Sequence, residues 1–161
     1  MINLNISTII YKPVSQIFDF MSTPENDFQW QYGTLESSRL PEHADGLGSF
    51  FRSVSHLMGQ RILSTFEVTE YEPNKKYGFK SLSGPLNTHT SYTFEMADGS
   101  TKINASTQLN AVNSLKLNEV VLEKKMRKQL KENLALLKKI LETRRGLPSS
   151  RKDIPIHAAA Q

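Results

Sequence analysis

The side chains able to do chemistry in this sequence are few and scattered. There are no cysteines, which excludes a disulfide framework, a thiolate metal site and a thiol nucleophile. The four histidines, His43, His56, His89 and His157, have none of the short spacings that bring two imidazoles to one ion, so no metal site is expected. His56 falls inside a strand-like stretch and would serve as a general acid or base only if it faced an interior. His89 is out of phase with Tyr92 and Phe94 and so points outward. Asp19, Glu25 and Asp27 read as solvated helix residues, and Glu67 and Glu70 fall on opposite faces of one strand, so no carboxylate pair is evident. Arg52 and Arg61 would orient a carboxylate or enolate if they pointed into a cavity, but the outward orientation is favoured. There is neither a phosphate-cradling glycine loop nor a G-x-S-x-G elbow. His56, Arg52 and the phenol of Tyr92 remain as catalytic candidates, without a constellation to join them.

The elements that must position these residues follow from periodicity. From Glu119 to Arg144, Leu122, Met126, Leu130, Leu134, Leu136, Leu137, Ile140 and Leu141 share one arc at about 100° per residue. Lys124, Lys125, Arg127, Lys128, Lys131, Lys138 and Lys139 share the other. Such a helix runs about 40 Å and needs a partner surface of similar length. Gln129 and Asn133 sit inside the apolar arc, where unpartnered burial would cost a few kcal/mol (about 2–7). Either they mark a pocket, or they lie at a wet edge or are satisfied by neighbouring backbone.

Upstream, Asn3 to Ile10 alternates as a half-buried strand. Pro13 to Met21 places Val14, Ile17, Phe18 and Met21 on one helical face. Thr23 then reads as an N-cap, with Pro24 opening a second helix of two turns that ends near Trp30. Thr34 to Leu40, Ser49 to Met58, Arg61 to Tyr71, Lys76 to Leu82, Thr88 to Met96 and Thr101 to Leu109 read as strands. Turns between them include Asp98-Gly99, and pairing across connections this short is antiparallel. Gly146 to Gln161 has no periodicity and reads as an extended or mobile tail.

With 161 residues, 38% of them hydrophobic, the chain suits a single domain over residues 1–145 with one core of ordinary size. No apolar run is long enough to span a bilayer, and the N-terminal stretch lacks the basic start and apolar block of a secretory signal, so a cytoplasmic protein is expected. The net charge of +4 is uneven: nine basic residues face eleven acidic ones up to residue 118, and nine face four over 119–145. The basicity belongs to one helix. A solvated Lys/Arg face without an RNA-binding aromatic motif does not make nucleic acid an expected partner.

Several stretches resemble a known superfamily. They are Pro13-Val14-x-x-Ile17-Phe18-Asp19-Phe20-Met21 with Pro24-Glu25-Asn26 and Trp30, Gly46-x-Gly48-Ser49, Gly59-Gln60-Arg61, and Val68-Thr69-Glu70-Tyr71-Glu72-Pro73-Asn74 with Tyr77-Gly78-Phe79. Tyr92-Thr93-Phe94 with Asp98-Gly99-x-Thr101 completes the set. Together they are similar to the START-like, pollen-allergen-like and polyketide cyclase/dehydrase proteins of the SRPBCC superfamily, over about residues 3–144. The resemblance implies an α+β helix-grip fold: a curved antiparallel sheet of about seven strands wrapped around the long C-terminal helix, with two short helices after strand 1. It also implies a cavity between sheet and helix.

In the more apolar register, Ile62, Phe66, Val68, Phe79, Ser81, Tyr92, Phe94, Ile103, Ala105 and Thr107 face that interior. Met126, Leu130, Asn133 and Leu137 close it from the helix, and Trp30 stands near the mouth. Phe50 and Phe51 leave the register of their strand open. The ligand-contact set expected from the resemblance is Trp30, Phe66, Phe79, Tyr92, Phe94, Met126, Leu130 and Asn133, although such residues pack a plain core in most proteins. The function implied is binding or transport of a small hydrophobic molecule, lipid-like or polyketide/aromatic, without a cofactor, by a monomer or homodimer. The alternative is a polyketide cyclase/dehydrase-type enzyme, which requires a titratable group in the pocket with a hydrogen-bonding neighbour. A third reading is an interaction module using the basic helix face.

Overall fold

The computed structural model describes residues 1–41, 46–57, 59–84, 86–111 and 118–143. The tail from Gly146 to Gln161, His43, His157, Met58 and Arg144 lie outside these residues. Seven strands form one antiparallel sheet in the order β1-β7-β6-β5-β4-β3-β2. They are β1 (Ile2–Ile10), β2 (Thr34–Arg39), β3 (Phe50–Leu57), β4 (Gln60–Glu72), β5 (Lys76–Ser81), β6 (Leu86–Ala97) and β7 (Ser100–Ala111). Strands β2 to β7 pair with their neighbours in sequence. β1 joins the far edge beside β7, because α1 (Val14–Met21) and α2 (Asp27–Trp30) carry the chain across the sheet before β2 begins. The long helix α3 (Glu119–Thr143) closes the concave side. This is the α+β helix-grip architecture.

The apolar spacing of α1 buries Val14, Ile17, Phe18 and Met21. Thr23 does not cap the next helix with its side chain. Its hydroxyl donates instead to the Asp19 carbonyl at 2.7 Å, satisfying a carbonyl in the last turn of α1. The expected two-turn second helix is a 3-10 turn over Pro24–Asn26 followed by the single turn α2.

Alternation fixes the concave face. In β3, Phe51 and Ser53 are buried and Arg52 is exposed, which settles the register that Phe50 and Phe51 left open. In β4 the pairing runs Phe66↔Ser81 and Val68↔Phe79, then slips one residue, so that Glu70 faces Gly78 and Tyr71 faces Tyr77. This bulge at Thr69 resets the parity. Glu67 and Glu70 therefore share the convex face instead of lying on opposite faces, where they pair with Lys80 at 3.8 Å and Lys76 at 3.2 Å. Tyr71 and Tyr77 turn inward to Phe18, with ring centroids 5.4 and 6.5 Å from it.

The core runs along the concave face and is densest in aromatic rings under α1, where Phe94 also meets Phe18 edge-on at 5.4 Å. Edge-on ring pairs of this kind each contribute about 0.5–1.5 kcal/mol beyond burial. The stripe of α3 buries Leu122, Leu130, Asn133, Leu134, Leu137 and Leu141. Leu136, expected on that stripe, is 39% exposed, because it stands about 100° from Leu137 around the helix. On the polar side, Arg127 pairs with Glu123, Lys128 with Glu132 and Lys138 with Glu142, each one turn apart. Among the described residues no helix is long and apolar enough to cross a membrane.

Candidate functional site

Between the sheet and the N-terminal half of α3 lies a pocket of about 190 Å³. The sheet supplies Phe51, Phe66, Phe79 and Tyr92 as its aromatic wall, with the hydroxyls of Ser53, Thr88, Thr90 and Thr107 between them. Met126, Gln129, Leu130 and Asn133 form the wall from α3, and Asp27 and Gln31 close the end beneath α2. A second chamber of about 140 Å³ adjoins it, sharing Thr34, Phe66, Thr88, Met126 and Gln129, and reaches out to Ile62, Tyr32 and His56. Phe51, Phe66 and Phe79 lie within 5.0–5.5 Å of one another, so this wall is itself packed.

Of the expected contact residues, Phe66, Phe79, Tyr92, Met126, Leu130 and Asn133 meet in this pocket. Trp30 and Phe94 do not line it. Trp30 is 1% exposed and lies behind Tyr92, with ring centroids 6.0 Å apart, because the one-turn α2 points it into the core instead of toward a mouth. Its indole Nε1 is buried without a hydrogen-bond partner. Phe94 has the expected parity but packs against Phe18 of α1, and Val68 is buried in the core without lining the pocket. Leu137 is fully buried beyond the pocket's end.

The catalytic candidates separate. Arg52 is exposed on the convex face. His56 is exposed at the rim of the second chamber, and His89 is exposed with Nε2 3.4 Å from the Thr69 hydroxyl. Tyr92 alone faces the main pocket.

The two polar residues of the α3 stripe are clamps. Asn133 Oδ1 accepts from the Tyr32 backbone N–H at 2.7 Å, and its Nδ2 donates to Gln31 Oε1 at 3.0 Å. Gln31 Nε2 in turn donates to the Tyr92 hydroxyl at 3.4 Å. Gln129 Nε2 donates to the Tyr32 carbonyl at 2.8 Å. Both readings of these residues hold at once: they border a pocket, and neighbouring groups satisfy them.

Asp27 departs most from expectation. As a residue it is half-buried, and its carboxyl lines the pocket instead of the outer surface where a solvated helix residue would stand. Burial first, and the charge of Glu25 second, hold its pKa well above the usual carboxylate range. Desolvation raises the pKa of an acid because the charged form loses its water. The Tyr92 phenol is also pushed up by burial, against the hydrogen bond from Gln31, and Asp27 adds to the rise. Glu25 itself is held 3.2 Å from Arg39 Nε. One signal was present in the sequence: Asp27 and Gln31 are four apart, and Trp30, between them, needs burial.

No curated protein sequence matches the chain. Among solved structures it is similar to a START superfamily protein from Mycobacterium smegmatis (13% identity, TM-score 0.73, 87% of this chain and 97% of that one). It is also similar to TTHA0849 from Thermus thermophilus (14%, 0.72, 85% and 94%). A third likeness is to the di-domain ARO/CYC BexL from the BE-7585A biosynthetic pathway (14%, 0.70, 88% of this chain and 47% of that one). At these identities the likeness speaks for the fold. Residues 1–142 match the family model described as polyketide cyclase/dehydrase and lipid transport, and the chain belongs to that family.

Proposed function

We propose that the chain binds a small hydrophobic ligand, lipid-like or polyketide/aromatic, in the pocket between the sheet and α3. The observation that carries this reading is the pocket's lining, an aromatic wall interrupted by hydroxyls and amides. Ligand sites of this kind combine apolar surface with a few placed polar groups. Their usual volume is about 300–1,000 Å³, so the occupant is small or extends into the adjoining chamber. The working unit is one domain of residues 1–145, cytoplasmic and cofactor-free, as a monomer or homodimer. The test is titration with apolar aromatic compounds, read by emission of Trp30, which abuts Tyr92 behind the pocket wall. Saturable quenching that weakens when Thr88→Phe fills the space between the two chambers supports the proposal; signals indifferent to that substitution count against it.

One observation favours a second reading, a polyketide cyclase/dehydrase-type enzyme acting in the same pocket. Asp27 and Tyr92 are titratable groups bordering it, and Tyr92 has a hydrogen-bonding neighbour in Gln31. Turnover of a poly-keto substrate by the wild type, lost in Tyr92→Phe, would distinguish this from binding alone.

A further inference from the structure

The polar groups at the α2 end of the pocket are unequally occupied. Asn133, Gln31 and Gln129 are engaged with one another and with the backbone of Tyr32. The Tyr92 oxygen accepts from Gln31, which leaves the phenolic hydrogen to be donated elsewhere. No hydrogen bond or ion pair engages the Asp27 carboxyl among the described residues, although the residue is half-buried and borders the pocket. Two unspent hydrogen-bonding groups, Asp27 and Tyr92, thus border the same pocket.

We propose that the Asp27 carboxylic acid and the Tyr92 hydroxyl form a two-donor subsite that receives the carbonyl oxygen of a neutral hydrophobic ligand. This rests on the ligand-binding reading above and specifies the ligand's polar group.

The surroundings decide against the other head groups. Among the described residues lining the two chambers there is no Lys or Arg, and His56 at the outer rim is the one base. A ligand carboxylate would enter without a counter-charge, beside an acid that already resists ionising. A ligand ammonium would need Asp27 ionised in a place where burial disfavours it, at the cost of desolvating two charges. A neutral carbonyl needs neither. The acid keeps its proton through burial and through Glu25, whose charge Arg39 partly offsets at 3.2 Å. The groups facing it from the sheet are the phenols of Tyr77 and Tyr92, both held neutral by burial, and those on α3, Gln129 and Asn133, are uncharged. As pH rises through the folded pKa of Asp27 the donor becomes an acceptor, and the ligand carbonyl then meets a negative charge.

The test uses four probes of one shape: naphthalene, 2-acetylnaphthalene, 2-naphthoate and 2-naphthylmethylammonium. The expected order has the ketone at least tenfold tighter than naphthalene and than naphthoate, with ketone affinity falling as pH rises through the titration of Asp27. Asp27→Asn keeps a donor but cannot titrate, so that fall disappears; Tyr92→Phe narrows the ketone's advantage over naphthalene about tenfold. The wild-type probe order and pH profile stand without either variant. Naphthalene bound as tightly as the ketone overturns the subsite while leaving the pocket reading intact. The ammonium probe bound tightest, with affinity rising with pH, assigns Asp27 as a counter-ion and overturns the proposal. Binding by none of the four overturns both readings.

Discussion

Replacing Asn133 by Leu tests whether the amide clamp between α3 and the α2–β2 junction holds the closed end of the pocket. Asn133 is 4% exposed and engages Tyr32 N–H at 2.7 Å and Gln31 Oε1 at 3.0 Å. Leucine is close in size but can accept no proton from Tyr32 and donate none to Gln31. A buried polar group left without its partner costs about 1–3 kcal/mol. The added apolar burial returns about 1–2 kcal/mol, and with two groups stranded the net loss is about 2 kcal/mol. For a domain of this size that lowers Tm by about 4–8 °C. Gln129→Leu is the control: its bond to the Tyr32 carbonyl is solvent-exposed, and its loss costs less than about 1 kcal/mol. Urea unfolding followed by far-UV circular dichroism and by Trp30 emission gives both values. An Asn133→Leu protein as stable as the wild type, or a Gln129→Leu protein equally damaged, would refute the clamp.

Three further outcomes follow from the same geometry. Asp27→Asn stabilises the fold at neutral pH: a folded pKa raised above the unfolded one means that wild-type stability falls as pH climbs between the two, a fall the amide abolishes, measured as Tm against pH. Glu142 behaves oppositely. Burial works to raise its pKa, but hydrogen bonds from Lys138 and the Tyr11 N–H outweigh it and hold the pKa low, so its contribution is present above the ordinary glutamate range and lost as pH falls through the lowered value. Glu142→Gln flattens that acid limb in the same experiment. Gly33→Ala costs about 2 kcal/mol or more, because Gly33 has φ +85 and a Cβ there would lie 2.9 Å from the His56 carbonyl; the drop in urea midpoint checks it.

The strands and the long helix were legible because their burial has simple periods. The alternation of β6 and β7 and the leucines of α3 predict their buried faces in nearly every position, and Leu136 fails only because it stands at the border of the stripe. What alternation cannot say is which part of a buried face meets another element. Phe66 and Phe94 have equivalent parity in their strands, yet Phe94 lies under Phe18 of α1 and Phe66 borders the pocket. Asp27 was obscured for a different reason: an acidic residue opening a helix is ordinarily a surface complement to the helix dipole, and only depth shows otherwise. The bulge at Thr69 carries no glycine to announce it, so the shared face of Glu67 and Glu70 was hidden as well.

That slip at Thr69 has an evolutionary corollary. It lets one continuous strand send Phe66 to the pocket and Tyr71 to the packing against α1, so variation in one set of residues need not disturb the other. The two parts of the interior can then change in composition independently while the scaffold is kept.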